Sequence, residues 1–248
     1  MTQAPRLINS VAHLSNVTAF VGLVERVRNR AYGLPGLGVF YGFSGFGKST
    51  AATYSANHFR AYNVAVKSTW TAKKLCLAIL TDLGIHPAKT VADMVDQVAE
   101  HLARNDRPLI IDEADHLVAR RLIEVVRDIY ESSGAAIILV GEERLPQNLQ
   151  QWERVHGRVL DWVAAQPASA ADVAKLVDLH SPDVPFDADF QAAILTACNG
   201  STRRVCINLE TMRMVALENG WDRLSVARWG KRAFFNGAAP APRRMVNP

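Results

Sequence analysis

The sequence predicts an α/β fold, a parallel sheet sandwiched by helices, followed by a small all-helical domain. Three observations predict it. The short apolar run Val39-Phe40-Tyr41 enters a glycine-rich loop that opens into a helical stretch at 51–59. Further aliphatic runs at 62–66, 107–111, 135–140 and 159–163 alternate with stretches of helical spacing, the pattern of parallel strands joined by crossover helices. After Gln166 the chain turns to short helical segments alone.

The glycine loop is the most informative element. Gly42-Phe43-Ser44-Gly45-Phe46-Gly47-Lys48-Ser49-Thr50 satisfies the spacing G-x-x-x-x-G-K-[ST] at every required position, and a strand precedes it while a helix follows. Glycines at those positions let the backbone turn tightly and aim its N–H groups inward, so that phosphates sit in a nest of amides at the positive end of a helix dipole. Lys48 is then the residue that reaches the outer phosphates, and Ser49 the hydroxyl that ligates Mg²⁺. Residues 42–50 form the core of the expected nucleotide site.

The second motif is Leu109-Ile110-Ile111-Asp112-Glu113, a β-favouring run ending in two carboxylates. At the carboxyl end of a strand in an open α/β sheet, Asp112 is placed to hold the Mg²⁺ shell and Glu113 to polarise an attacking water. A carboxylate pair alone carries little information; downstream of a phosphate loop it completes a site. The residues that follow, Ala114-Asp115, imitate a helicase box, but no second motor domain accompanies it.

The remaining elements are read in order. Residues 8–14 are apolar, 15–18 offer capping residues, and 19–32 form an amphipathic helix with Phe20, Leu23, Val24 and Val27 on one face. A helix over 72–83 stops at Gly84, and another covers 87–104. Between the second strand and the first of these lies a basic loop carrying Lys67, Trp70, Lys73 and Lys74. It suits either phosphate contact or a solvated helix start. One helix is expected from His116 to Glu131, with Arg120 and Arg121 at its beginning. Glu142, just past the strand at 135–140, stands where a polar residue would sense the terminal phosphate, although a carboxylate there needs a metal or an arginine to offset repulsion. Arg154, with Arg158 as second choice, is the candidate finger reaching a nucleotide bound by a neighbouring subunit. Helices are expected at 169–179, 187–198, 203–219 and 225–235, and Arg203 begins one of them after the turn Gly200-Ser201-Thr202. The expected divisions are 1–165, a helical lid at 166–236, and a flexible basic tail at 237–248.

Composition excludes several classes. With 49% hydrophobic and 21% charged residues over 248, the chain suits a globular protein with a substantial core. Cys76, Cys198 and Cys206 form no C-x-x-C pair, so neither a disulfide framework nor a zinc site is indicated. No apolar run approaches a membrane span, and no leader is evident, which leads to the expectation of a cytoplasmic protein. A net charge of +4 permits a polyanionic partner without requiring one.

The order of these motifs resembles the AAA+ ATPases, over about residues 18–235. Within them, Gly45-Phe46-Gly47-Lys48-Ser49, the strand-loop-helix at 64–84, Val140-Gly141-Glu142 and Gly200-Ser201-Thr202-Arg203-Arg204-Val205 are similar to the transposition-helper group, the phage Mu B protein and its relatives TnsC and IstB, with the secretion ATPase ExeA as a cousin. The resemblance implies ATP and Mg²⁺ as cofactors and a homo-oligomer, filament or ring, on double-stranded DNA with little sequence preference. It also implies a transposase as partner, and no membrane. It places Lys67, Lys73, Lys74, Arg120 and Arg121 against the DNA, Glu142 and Arg203 as sensors beside the nucleotide, and Arg154 or Arg158 as the finger. The Mu B protein has an additional N-terminal DNA-binding segment for which too few residues precede the core here, so DNA contact is expected from the core and lid. An ExeA-like remodelling ATPase without DNA, and a replication initiator or helicase loader, are the alternative readings.

Overall fold

A computed structural model describes residues 12–239. The apolar segment starting at Ile8 and the arginines of the tail, Arg243 and Arg244, lie outside the described residues or largely so. The described chain divides into two compact units, one ending at Gln166 and the other starting at Pro167.

The first unit runs α1 (Ser15–Arg28), β1 (Leu37–Tyr41), α2 (Lys48–Phe59), β2 (Tyr62–Ala65), α3 (Ala72–Leu83), α4 (Val91–Arg104), β3 (Leu109–Asp112), α5 (Asp115–Ala119), α6 (Ile123–Ser133), β4 (Ile137–Gly141), α7 (Leu145–Gln150), α8 (Glu153–His156) and β5 (Val159–Ala164). All five strands are parallel, in the order β2-β3-β4-β1-β5. This is the parallel sheet sandwiched by helices that the sequence predicts. Strands β1, β3 and β4 are buried on both faces, which explains their unbroken aliphatic runs. Helix α1 covers one face, where Phe20 meets Phe40 edge-to-face at 4.9 Å. On the other face Val39, Ile111 and Leu139 join Leu75, Ile79, Val98 and Val126 in one core.

The strand order decides the site. Because β4 lies between β3 and β1, the loop after β4 opens between the glycine loop and the Asp112-Glu113 pair. No local pattern in the sequence specifies that neighbourhood.

Three helices differ from expectation in this unit. Residues 15–18 do not cap a later helix but are its first turn: Leu14 is the N-cap, and no side chain caps it. Within that turn the Asn16 side chain bonds the Phe46 and Gln166 backbone and not its own helix. The single helix expected over 116–131 is two helices. Arg121 takes φ 56°, its N–H bonds the Val118 carbonyl at 3.1 Å, and the Leu122 N–H reaches back to Leu117 at 2.7 Å. This is a Schellman closure, stabilised by burying Leu117 and Leu122 together, and it is made here without glycine. Helix α4 begins at Val91 rather than 87, because the Thr90 hydroxyl accepts the Asp93 N–H at 3.2 Å and caps it there.

The second unit holds α9 (Ala170–His180), α10 (Ala188–Ala197), α11 (Thr202–Glu218) and α12 (Val226–Trp229). Ser169 and Asp172 form a reciprocal capping box at the start of α9. The last helix is much shorter than the predicted 225–235. It ends at Gly230, and the chain turns so that Phe234 packs 5.9 Å from Phe190 and Asn208 bonds the Phe235 backbone in both directions, at 2.8 and 2.9 Å. Cys76 and Cys198 are buried and Cys206 half-buried, all three free, and burial pushes the Cys76 and Cys206 thiols up to about 11.

Candidate functional site

The glycine loop joins the end of β1 to the start of α2. Gly45 and Gly47 take φ of 88° and 82°, a region costly for any residue with a Cβ. Gly47 is also the N-cap of α2 and supplies no side-chain acceptor. The first-turn amides, those of Lys48, Ser49 and Thr50, therefore have no intrahelical partner and face outward with the positive end of the dipole. Such a cradle fits phosphate oxygens. Lys48 Nζ donates to the carbonyls of Gly42 at 2.6 Å and Phe43 at 2.9 Å, which folds the ammonium over the loop. Phe43, Ser44, Ser49 and Thr50 are exposed, and the Phe43 and Phe46 rings stand 5.8 Å apart.

Lys48 is where the sequence-predicted groups converge. Burial pushes its pKa down, while Glu142, Asp112, Glu113 and Asp115 all act on it in the opposite direction. Thus the ends of β1, β3 and β4 bring one lysine and four carboxylates into one electrostatic neighbourhood. Among the described residues no group of three or more His, Cys, Asp or Glu side chains could by itself hold a metal ion. Mg²⁺ keeps several waters and takes one or two protein oxygens beside phosphates, and the Ser49 hydroxyl and Asp112 carboxylate are oxygens of that kind.

Glu113 sits in the left-handed region at φ 57°, an expensive conformation for a glutamate. Its N–H bonds Asp112 Oδ1 at 2.8 Å, its carbonyl accepts the His116 N–H at 3.0 Å, and Ala114 N–H bonds Val140 at 2.8 Å. The surrounding turn therefore holds Glu113 in this strained position at the head of the strand, with its side chain exposed.

Two residues of this neighbourhood escaped the sequence reading. Asp115 Oδ2 accepts the Glu142 N–H at 2.6 Å, linking the start of α5 to the tip of β4. Burial raises the Asp115 pKa, with the Glu142 charge adding to the rise and the Glu142 N–H and Lys48 opposing it. Its sequence signal was the helicase-like run ending at Asp115. Asn16, only 7% exposed, donates to the carbonyls of Phe46 at 2.9 Å and Gln166 at 2.7 Å and accepts the Gln166 N–H at 2.8 Å. It ties α1 to the glycine loop and to the end of β5. Nothing local announces this role.

The other predicted residues lie elsewhere. Glu142 is exposed beside Asp115. Lys67, Lys73 and Lys74 are exposed after the carboxyl end of β2, with Lys74 Nζ 5.9 Å from the Trp70 ring centroid. Arg120 and Arg121 are exposed at the end of α5. Arg158 precedes β5, at the end of the sheet opposite the glycine loop, and is ion-paired with Glu131. Arg154, on α8, lines a cleft together with Arg158 and Glu131 and has no ion pair among the described residues. Arg203 is exposed in the first turn of α11, in the second unit. No helix among the described residues is long and apolar enough to cross a membrane.

Comparison with known proteins follows the same lines. No curated protein matches the chain. Among solved structures, it is similar to the Aeropyrum pernix ORC2 protein in its ADP form, with a TM-score of 0.67 at 15% identity over 88% of this chain and 68% of that one. It is similar to the Aeropyrum pernix ORC1 protein in complex with DNA, with a TM-score of 0.57 at 16% identity over 89% and 65%. The Thermotoga maritima RuvB Holliday junction branch migration motor gives 0.55 at 16% identity over 87% and 67%. The chain thus spans about two thirds of the length of these proteins, and at such identities the likeness is one of fold. Residues 31–149 match the family described as AAA domain, a stretch that holds the glycine loop and the first four strands of the sheet.

Proposed function

We propose that the protein is an Mg²⁺-dependent ATPase that binds double-stranded DNA as a homo-oligomer. The observation that carries the catalytic part is the convergence on Lys48 of Asp112, Glu113, Asp115 and Glu142 at the ends of three neighbouring strands. Residues 42–50 hold the phosphates through loop amides, and Lys48 neutralises their charge. Ser49 and Asp112 are the residues that would hold Mg²⁺, which when bound supplies further charge neutralisation at the phosphates. Glu113 orients water and accepts its proton. Glu142 and Arg203 act as nucleotide sensors, and Arg154 as the finger supplied to a neighbour, a choice supported by the ion pair that already occupies Arg158. The helical region at 166–236 serves as lid.

The DNA part is supported by fold likeness to a protein solved in complex with DNA and to a branch migration motor. Lys67, Lys73, Lys74, Arg120 and Arg121 extend from the carboxyl end of the sheet as exposed cations without carboxylate partners among the described residues. Recruitment of a transposase is the partner reading that the motif resemblance favours. Likeness to ORC-type structures favours a second reading, a replication initiator or loader. The test is sedimentation and negative-stain microscopy with random-sequence duplex DNA under ATP, ADP and no nucleotide. ATP-dependent assemblies on DNA are expected; assembly without DNA, or hydrolysis with no assembly, overturns the DNA part.

A further inference from the structure

A cavity of roughly 750 Å³ lies at the opposite end of the sheet from the glycine loop. Its walls are the three connections that lead into the amino ends of β1, β3 and β4. Ligands of open α/β sheets ordinarily bind at the carboxyl ends, so this cavity is no part of the nucleotide site. Its charged lining is one-sided: Arg28, Arg30, Arg104 and Arg107 against Asp106 alone.

What holds those arginines decides what the cavity can bind. Arg28 is neutralised by Asp106, at 3.0 and 2.6 Å. Arg104 pairs with Glu100 on the exposed side of α4 and keeps 74% of its side chain in solvent. Arg30 and Arg107 are held by uncharged groups. Arg30 donates to the carbonyls of Val27 at 2.9 Å, Leu34 at 3.2 Å and Gly134. Arg107 donates to the Arg60 carbonyl and to the Tyr62 hydroxyl at 2.9 Å, with its guanidinium 4.0 Å from the Tyr62 ring centroid. A carbonyl fixes a guanidinium without cancelling its charge. Each guanidinium has five donors, and these bonds leave two unspent on Arg30 and three on Arg107. The result is two immobilised, uncompensated cations in an open cavity, an arrangement made for oxygens of phosphate groups.

Tyr32 specifies the ligand further. It belongs to the α1–β1 connection, lines the cavity and is fully exposed, at 106% of its reference area. A fully exposed aromatic ring beside fixed guanidiniums offers a stacking platform for an unpaired base.

We propose that this cavity holds single-stranded DNA, with phosphates on Arg30 and Arg107 and one unpaired base stacked on Tyr32. The proposal rests on the DNA reading above for the class of ligand only. It uses none of the residues assigned there.

The test is fluorescence anisotropy of the full chain with a labelled mixed-sequence single strand and with its duplex, over a salt series. Tyr32→Ala is expected to weaken single-strand binding about tenfold and duplex binding little. Arg107→Gln is expected to weaken it and to reduce the slope of log affinity against log salt by roughly 0.7. Ultraviolet cross-linking of the wild-type protein to bromodeoxyuridine-substituted single strand is expected to modify the peptide containing Tyr32, a readout independent of any variant's folding. Cross-links confined to 67–74 or 120–121, or unchanged single-strand affinity in both variants while the wild type still binds DNA, overturn this proposal and leave the duplex reading standing. Displacement of the strand by an equal nucleotide concentration of thymidine monophosphate overturns it in favour of a mononucleotide site. Loss of duplex binding in Lys67→Glu/Lys74→Glu with single-strand binding retained supports two separate contacts, whereas a wild type that binds neither form overturns both readings.

Discussion

Asp115 Oδ2 accepts the Glu142 backbone N–H at 2.6 Å, and at the preceding residue, Gly141, an added Cβ would stand 2.4 Å from that same oxygen. The strand tip between the two halves of the phosphate site is therefore seated by a carboxylate that leaves no room for a side chain. Any movement of Asp115 moves the backbone of Glu142 with it.

Gly141→Ala is expected to destabilise the protein by about 1–3 kcal/mol, since the Cβ also meets Leu145 Cδ2 at 2.6 Å. Chemical denaturation of Gly141→Ala, Asp115→Ala and the double variant measures it. A coupling of about 0.5 kcal/mol or more is expected between the two sites; strict additivity rules out the seating contact.

Asp115 also sets a pH dependence. Its folded pKa is raised, chiefly by burial, so between the ordinary aspartate value and the raised value the folded state binds more protons than the unfolded state. Stability from this group is therefore present at acid pH and falls as pH rises from about 4 upward. Asp115→Asn keeps an oxygen for the Glu142 N–H but removes the titration. Melting temperatures of the two proteins are expected to diverge in favour of asparagine as pH increases, and a constant difference from pH 4 to 8 contradicts the assignment.

Lys48→Ala is expected to abolish nucleotide binding, because it removes the ammonium folded over the loop at 2.6 Å from Gly42. Glu113→Gln is expected to retain nucleotide binding and lose about 10²- to 10⁴-fold in turnover, the usual contribution of a general base. Fluorescent-nucleotide titration and phosphate release separate the two effects. Equal turnover in wild type and Glu113→Gln would sink the role given to that carboxylate.

Arg154 and Arg158 stand at the end of the sheet away from the chain's own glycine loop, so an arginine acting there must serve another subunit. Arg154→Ala is expected to lower turnover of the assembly by about 10³-fold or more with nucleotide affinity kept. Mixing Arg154→Ala with Lys48→Ala, each inactive alone, should restore part of the activity. No recovery on mixing argues for action within one subunit or for no catalytic action.

Local chemistry was sufficient where an element and its cause share the same few residues. Helix α3 runs Ala72–Leu83 as its spacing and Gly84 require, and the glycine loop lies between strand and helix as its motif demands. Where a distant partner decides, local reading overshot. The apolar periodicity of 116–131 continues through Arg121, yet joint burial of Leu117 and Leu122 closes the helix there. Periodicity also continues past Trp229, but Phe234 returns to Phe190, from another helix.

The sequence by itself determined the phosphate loop, the Asp112-Glu113 pair and the run of parallel strands, because each rests on backbone freedom, charge or hydrophobic pattern within about ten residues. Tertiary structure alone decided that β4 lies between β3 and β1, that Asp115 seats the Glu142 backbone 27 residues away, and that Asn16 bonds Gln166 across 150 residues. A hydrogen bond is specified by the positions of both partners, and for these pairs the positions exist only once the sheet has formed and its strand ends are side by side.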